Sequence, residues 1–418
     1  MHATPPVAAL TALRLLTTLA AVYVISQFFR ASQAVIAPEL ADELGLTSAD
    51  LGLLAGGFFV VFALAQLVNG PLFDRFGPRR TMPALLVFAA IGSLVFASAD
   101  GLWGLMLGRA LMGLGCSGIL VGALLVCARW FPRDRYAGLA SILVASGETG
   151  NLIATSPFAA MVETIGWRGA FLLMAAATAA LCALAYVGVR DAPPGHAFHA
   201  RQPESSREAW RGTIEAFRQP GLIRVIAAAL VVYGAAMAIF GLWGGPYFND
   251  IHGLDAVARG NAMLAMALAM LCGTLVFGPL DRKFDTRKGV VQAGLAGLAV
   301  VLTVLAALST PPLWVSIVLF ALLGSLAGVR VVVMAHGRAL FPERLMGRGV
   351  SLINMGIMGG VALLQIATGG IMGALARSGA SKEAAYRIVF ATLAIVVAAA
   401  WLTYRGSADR RPSDERMS

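Results

Sequence analysis

The chain alternates long apolar stretches with short polar segments over nearly its whole length. About 20 apolar residues in a row are enough to cross the hydrocarbon core of a bilayer as a helix. Twelve such stretches can be delimited, and each predicts one membrane-spanning helix. The predicted spans, numbered 1 to 12, are residues 12–36, 50–72, 81–99, 102–130, 137–160, 167–189, 222–248, 257–280, 289–309, 312–336, 347–375 and 383–404.

The polar segment between predicted spans 2 and 3 recurs later in the chain. Residues 70–80 open on Gly-Pro-Leu and close on a basic pair, and residues 278–288 do the same. A second segment, Phe131-Pro132 followed by arginines, returns as Phe341-Pro342. Two recurrences with nearly the same spacing predict two similar halves.

The predicted fold is therefore an all-α membrane protein, with two pseudo-symmetric six-helix bundles around a central cavity. The predicted domains are residues 1–189, a cytoplasmic linker 190–221, residues 222–404 and a cytoplasmic tail 405–418. The stretch 205–218 of the linker is either a short amphipathic helix on the membrane surface or a flexible tether. The polar tail is expected to be disordered.

Composition and charge support this prediction. Hydrophobic residues make up 58% of the chain and charged residues 13%, whereas a soluble domain carries about 25% charged residues. The net charge of +10 does not indicate nucleic-acid binding, because the arginines cluster in the short even-numbered loops. Positive loops mark the cytoplasmic side. We therefore expect a multi-pass protein of the inner (plasma) membrane with both termini cytoplasmic.

The sequence holds no pattern of residues typical of an enzyme. It has no nucleophile elbow and no phosphate-binding loop. Its four cysteines all lie in apolar runs, and no metal-ligand spacing is present. We therefore expect no cofactor and no metal, and a monomer whose partners are lipids and a small molecule. The first ten residues show no cleavage site, so the first span is the expected insertion signal.

Two motifs carry a family resemblance. Gly70-x-Leu72-x-Asp74-Arg75-x-Gly77-x-Arg79-Arg80 resembles the loop between helices 2 and 3 of the major facilitator superfamily. Arg109-x-x-x-Gly113-x-Gly115 is similar to the fourth-helix motif of that superfamily. The resemblance implies secondary transport by alternating access. In this loop, Asp74 can cap or pair with a facing helix end, and Arg75 can pair with an acid such as Asp134. We therefore expect a gating role for the loop residues Gly70, Asp74, Arg75, Gly77, Arg79 and Arg80.

Arg30 is the first candidate substrate ligand. Tyr23, Gln27, Arg30 and Gln33 share one face of predicted span 1, with Arg30 about 12 Å from the outer end of that span. A guanidinium can hold a carboxylate or phosphate bidentately. The other interpretations are an internally paired arginine and one that reaches to the outer surface.

The surroundings of Arg30 resemble the first helix of organic-anion and organophosphate carriers of the superfamily, in which an arginine at this place contacts the anion. The phosphate-ester carriers use a second arginine in helix 7. Predicted span 7 has no arginine at mid-helix. That departure favours a singly charged or a larger amphipathic substrate.

Glu148 is the only acidic residue deep within a predicted span. A nearby arginine lowers the pKa of a buried carboxyl and desolvation raises it. Such a group can carry a proton during transport, or it can form a permanent ion pair with Arg30 or Arg109. Arg109 itself is a candidate for proton coupling or a tie between helices.

Further candidate ligands lie in the second half. Arg330 in predicted span 10 either completes a central site or pairs across the two halves in one conformation. The remaining candidate substrate-binding residues are Asn151, Tyr233, Trp243, Tyr247, Asn354 and Gln365.

The favoured function is secondary transport of a small organic anion, driven by protons. One alternative is a proton-driven efflux antiporter for drugs, siderophores or other metabolites. It is disfavoured because span 5 lacks the Gly-Pro pair that is usual in drug antiporters of the superfamily. The other alternative is a membrane sensor of the same fold, which would not need the charged residues inside the spans.

Overall fold

The computed structural model describes residues 9–193, 206–342 and 345–413, and this part of the chain contains helices but no strand. Its membrane helices form twelve spans in the predicted order. They are Ala9–Leu44 (span 1), Ser48–Phe76 (span 2), Pro78–Ala97 (span 3), Leu102–Cys116 with Ile119–Trp130 (span 4), Arg133–Ile153 with 156–165 (span 5), 167–188 (span 6), Leu222–Ala238 with Ile239–Trp243 and Gly244–His252 (span 7), Ala256–Lys283 (span 8), Arg287–Ala307 (span 9), Leu313–Ala327 with Arg330–Arg338 (span 10), Met346–Arg377 (span 11) and Lys382–Arg405 (span 12).

The hydropathy of the described helices agrees with this count. Eleven of them are long and apolar enough to cross a membrane. One of the eleven, Ser156–Gly188, turns at Gly166, where φ is +70°, and so contains both the end of span 5 and span 6. The prediction of twelve spans is confirmed. Loops take the number of the span before them, and we call the two faces of the protein the odd-loop end and the even-loop end.

Polar caps set the start of several spans. At span 2, the Thr47 hydroxyl accepts a hydrogen bond from the Asp50 amide, and the Asp50 carboxylate accepts one from the Thr47 amide. Asp255 caps span 8 and Ser381 caps span 12 in the same position. The first amides of a helix have no acceptor within the helix, and these side chains supply one.

Span 1 is longer than the sequence predicts. The predicted end at residue 36 is wrong, since the helix continues through Pro38 to Leu44. Pro38 has no amide proton for the Ala34 carbonyl, and the backbone of Gly245 in span 7 packs directly on that carbonyl. Arg30 therefore lies about 21 Å from the end of its helix, near the middle of the span and not near its outer end.

Spans 4 and 10 are interrupted at equivalent points. Span 4 breaks at Ser117 and Gly118, and span 10 breaks at Gly328 and Val329. In span 4, Gln66 donates a hydrogen bond to the Ser117 carbonyl at 2.8 Å. Backbone groups freed inside a membrane must find such partners. The matching breaks support the predicted internal repeat.

Glycines bring the two halves into contact near the odd-loop end. A Cβ on Gly52 of span 2 would lie 2.7 Å from the Cα of Gly369 in span 11. Gly260 of span 8 lies equally close to the backbone of Ser156 in span 5. Spans 1 and 7 also pack together, where Gly245 meets Ala34. Small residues allow close approach where the hydrophobic effect cannot drive association.

Residues 206–217 of the linker and residues 406–413 of the tail have a defined structure. Ser206–Phe217 forms a helix, as one of the two interpretations predicts, and its Ile214 and Phe217 are exposed. After span 12 the chain folds back onto loop 8, where the Asp409 carboxylate accepts hydrogen bonds from Thr286 and from the Lys288 amide. The expectation of a disordered tail is wrong for residues 406–413.

Two neighbouring glycines of span 11 allow a test of helix packing. A Cβ on Gly360 would lie 2.1 Å from the Leu230 carbonyl oxygen of span 7, whereas a Cβ on Gly359 would meet nothing within 4 Å. Overpacking costs about 1–3 kcal/mol, and replacing Gly by Ala in a helix returns about 1 kcal/mol. We expect Gly360→Ala to lower the unfolding temperature in detergent. The matched control, Gly359→Ala, should leave it unchanged or raise it, and equal effects of the two changes would contradict this packing.

Candidate functional site

Arg30 lies buried at the middle of span 1 without a carboxylate partner. Its side chain is stacked on Phe62 of span 2, with 4.6 Å from the guanidinium carbon to the ring centroid. Its Nε is buried without a hydrogen-bond partner, and among the described residues its guanidinium forms no ion pair. The residue is 6% exposed. A buried cation without an anion is costly in a membrane, so this guanidinium is a ready binding group for an anion.

Glu148 of span 5 forms an ion pair with Arg330 of span 10, across the two halves. The distance from Glu148 Oε1 to Arg330 Nη2 is 2.6 Å. The other carboxylate oxygen accepts a hydrogen bond from Asn151 Nδ2 at 2.7 Å. Arg330 is also stacked on Tyr233 of span 7, at 4.7 Å. The carboxylate therefore has partners on both oxygens.

This pairing settles an open point of the sequence analysis. The sequence suggested Arg30 or Arg109 as the ion-pair partner of Glu148. Both suggestions are wrong, because the partner is Arg330. Pairing of Arg330 across the halves, one of its two interpretations, is confirmed. Arg330 is the first residue of the helix after the break in span 10. The helix dipole disfavours a cation at a helix N-terminus, so an anion close to Arg330 is stabilising at this position.

Tyr23 joins the two parts of the site. Its electrostatic neighbours include Arg30, Glu148 and Arg330. Its ring packs on Gly147, where a Cβ would lie 2.1 Å from the ring. Glycines at 147 and 150 let spans 1 and 5 approach closely, and so they bring Glu148 to the face of span 1 that carries Tyr23, Gln27 and Arg30. The functional role of these two glycines was not recognised from the sequence.

Arg109 has a structural position. It is 1% exposed and donates hydrogen bonds to the carbonyls of Phe29 at 2.8 Å and Leu54 at 3.2 Å. Its guanidinium is stacked on Phe58 at 4.6 Å. It ties spans 1, 2 and 4 together, which is one of its two predicted roles.

The remaining predicted ligands fall into two groups. Gln33 and Gln365 donate hydrogen bonds to the backbone carbonyls of Leu51 and Met237, each at 3.0 Å, and keep buried side-chain oxygens without partners. Asn354 is half-buried on span 11. These amides can still bind a ligand through their unused atoms.

Trp243 and Tyr247 are engaged within the second half. Trp243 donates a hydrogen bond to Thr368 at 2.9 Å. Tyr247 is stacked on Phe320, with 5.2 Å between the ring centroids, and lies 3.2 Å from the Ser316 hydroxyl. The π-helical turn Ile239–Trp243 shifts the helical register, so Tyr247 does not share the face of Tyr233.

The loop-2 motif is held by an acidic residue that the sequence analysis did not identify. Asp191, just after span 6, accepts a hydrogen bond from the Arg79 amide at 2.7 Å and lies against Gly77, where φ is +75°. Asp409 holds the start of span 9 in the same way. Gly70 and Arg80 are exposed, Asp74 is half-buried, and Arg75 is stacked on Phe76. The side chain of Asp134 lies outside the described residues.

An ion pair at the odd-loop end also joins the halves. Arg259 of span 8 is paired with Glu39 of span 1 and donates a hydrogen bond to Asn249 at 2.9 Å. Arg259 is 4% exposed. The pair lies beside the contact of spans 1 and 7, and it strengthens the end at which the halves meet.

Comparison with known proteins identifies the family. The family model of the Major Facilitator Superfamily matches residues 19–280 and 246–417. The chain belongs to the major facilitator superfamily. It is therefore a multi-pass membrane transporter of this superfamily and not an enzyme, as the sequence predicts.

Individual members show similarity along most of the chain. A probable sulfoacetate transporter of Cupriavidus necator is 23% identical and covers 66% of this chain and 68% of its own length. A sialic acid transporter of Escherichia coli is 25% identical, covering 78% of this chain and 79% of its own. A bacterial homologue of the human lysosomal transporter Spinster, solved in an inward-facing, occupied conformation, has a TM-score of 0.72 at 16% identity, with 96% of each chain covered.

The unequal surroundings of two buried arginines lead to opposite expectations for stability. Arg30→Met removes a buried charge that has no anion, so we expect it to raise the unfolding temperature of the ligand-free protein in detergent. Arg109→Met removes hydrogen bonds from a charged donor, each worth roughly 1.5–3 kcal/mol, and should lower that temperature. The two variants are measured side by side by the same thermal unfolding assay. A loss of stability in both would mean that Arg30 has a structural partner.

Proposed function

We propose that this transporter carries a small organic anion across the cell membrane by alternating access, coupled to protons. The observation that supports the anion is the buried guanidinium of Arg30, which has an aromatic face beneath it and no carboxylate partner. Arginine suits planar anions such as carboxylates and sulfonates, because its fork offers two parallel donors. Sulfoacetate and sialic acid, the substrates that give two relatives their names, both carry such a group.

The surroundings of Arg30 favour an organic substrate over a bare inorganic ion. Gln27, 2% exposed, lies one turn away with a buried oxygen that has no partner. Phe62 and Tyr23 add apolar area beside the guanidinium. An anion that also bears hydrogen-bond donors and a carbon skeleton satisfies all of these groups, whereas a small inorganic anion satisfies only the arginine.

Glu148 is the group that we propose to carry the proton. It is a buried carboxylate whose charge is balanced by a single arginine on the opposite half. Protonation would remove the Coulomb attraction of this pair and leave only weaker hydrogen bonds. A proton would therefore loosen a contact between the halves at the same place where the substrate binds.

Alternating access requires contacts between the halves that can open. Near the odd-loop end these contacts are the pair of Arg259 with Glu39 and the close glycine packing of spans 2 and 11. We propose that this end opens when the two bundles rock, and that residues 70–80 with Asp191 support the other end. The bundles are residues 1–189 and 222–404, joined by the linker 190–221.

The charge of the loops gives the orientation. Because loops 2, 4, 8 and 10 hold most of the arginines and lysines, we propose that the even-loop end faces the cytoplasm, with both termini and the linker helix. The membrane is then the inner (plasma) membrane. We propose that the chain acts as a monomer, because both halves of the site come from one chain.

The role of Arg30 can be tested by a conservative change. Arg30→Lys keeps the charge but loses the bidentate fork, so we expect at least a tenfold weaker apparent affinity for the transported anion in proteoliposomes. Arg377→Lys, at an exposed arginine of the odd-loop end, is the matched control and should transport normally. Normal transport by Arg30→Lys would remove this arginine from the site.

The role of Glu148 can be tested by separating exchange from accumulation. Glu148→Gln mimics the protonated state permanently. We expect it to exchange labelled substrate between equal concentrations on the two sides, but not to accumulate substrate under an inward proton gradient. Accumulation at the parental rate would rule out the proton role. If the variant is unstable and Arg330→Gln restores it, the pair is structural instead.

A further inference from the structure

The two arginines of the site differ in their availability. Among the described residues, the Arg30 guanidinium has no anionic partner, whereas the Arg330 guanidinium is paired with Glu148 at 2.6 Å. Tyr23 packs on Gly147, next to Glu148, and its electrostatic neighbours include Arg30, Glu148 and Arg330, so the three charged groups surround one side chain. The charge of Arg30 is therefore free to bind an anion, whereas the charge of Arg330 is neutralised by a carboxylate of the protein itself.

Few groups near Glu148 could change the net charge around the two arginines. The groups around it are Tyr23 and Arg30 of span 1, Tyr233 of span 7, Arg330 of span 10 and Asn151 of its own helix. Among the described residues, the only other buried acidic side chain is Asp281, which is paired with Arg287 at the even-loop end. Arg109 is buried between spans 1 and 2, where it donates hydrogen bonds to the carbonyls of Phe29 and Leu54.

A second negative charge on the ligand would have no open partner. It would lie in a poorly hydrated region beside the Glu148 carboxylate, and like charges at short range in such a region repel strongly. A ligand with one anionic group meets the open arginine and avoids that repulsion. The expected difference in affinity follows from the pairing of Arg330 with Glu148.

We propose that Glu148 acts as an internal anion that occupies Arg330 and thereby restricts the substrate to a single anionic group. This inference rests on the proposed function, since it presupposes that Arg30 binds the anion. It makes Glu148 a specificity-determining residue in addition to its proposed proton role. It also makes Arg330 a latent second anion site that opens when Glu148 is neutral.

Matched ligands of equal shape can test the proposal. Malonate, succinate and glutarate each carry two carboxylates, and the monoamide of each replaces one carboxylate by an isosteric neutral amide. Apparent affinities are taken from the concentration dependence of the unfolding temperature of purified protein, above neutral pH. The proteins compared are the parent, Glu148→Gln and the double variant Glu148→Gln/Arg330→Gln.

We expect the parent to bind at least one monoamide tenfold or more tightly than the matching dicarboxylate. Glu148→Gln should reduce or reverse that preference, because Arg330 becomes available to the second carboxylate. The double variant should again favour the monoamide, because the second guanidinium is gone.

Three results would overturn the proposal. The first is a parent that binds dicarboxylate and monoamide equally, and the second is a Glu148→Gln variant that keeps the parental preference. The third is a double variant that binds dicarboxylates as well as Glu148→Gln does, since repulsion by Glu148 would then suffice without Arg330. If none of the six ligands, nor sialic acid added as a further probe with one carboxylate, stabilises any of the proteins, the anion site itself fails, and the proposed function fails with it.

Discussion

The cost of an unpaired charge inside a membrane governs how this molecule is built. In the described part of the chain, buried arginines have different kinds of partner at different depths of the spans. Arg109 is satisfied by backbone carbonyls, and Arg259 and Arg287 by carboxylates near the two ends of the spans. Arg30 alone among these buried arginines has neither kind of partner. A membrane protein keeps such a residue only where something else supplies the missing charge.

In the proposed mechanism, ion pairs that cross between the halves link chemistry to motion. Glu148 with Arg330, and Glu39 with Arg259, each place one partner on either bundle. A charge that is neutralised or displaced at such a pair changes the energy of one arrangement of the bundles relative to another. The central pair and the Arg30 guanidinium share Tyr23 as an electrostatic neighbour, so in the proposed mechanism binding and movement depend on the same few side chains.

Local patterns in the sequence were sufficient for much of the fold. Apolar length fixes each span, and helical periodicity correctly placed Tyr23, Gln27 and Arg30 on one face, because both properties depend only on neighbouring residues. The partner of Glu148 could not be predicted this way, since Arg330 lies on another bundle and 182 positions away. The end of span 1 was misjudged because a proline usually ends a helix, whereas here the helix continues through Pro38, with Gly245 of another span packed on the freed Ala34 carbonyl. The π-helical turn of span 7 likewise has no local pattern that we recognised.

The interruptions of spans 4 and 10 have a consequence for how the two halves diverged. They occur at matching positions of the repeat, yet the residue that follows is Ile119 in the first half and Arg330 in the second. The two halves thus hold two copies of the same interrupted span, and the helix resumes with a buried aliphatic residue in one copy and with a cation in the other. The same backbone break is present in both halves, but only the second half has a charged residue there. A difference at this one position makes the two halves chemically unequal although their backbones match.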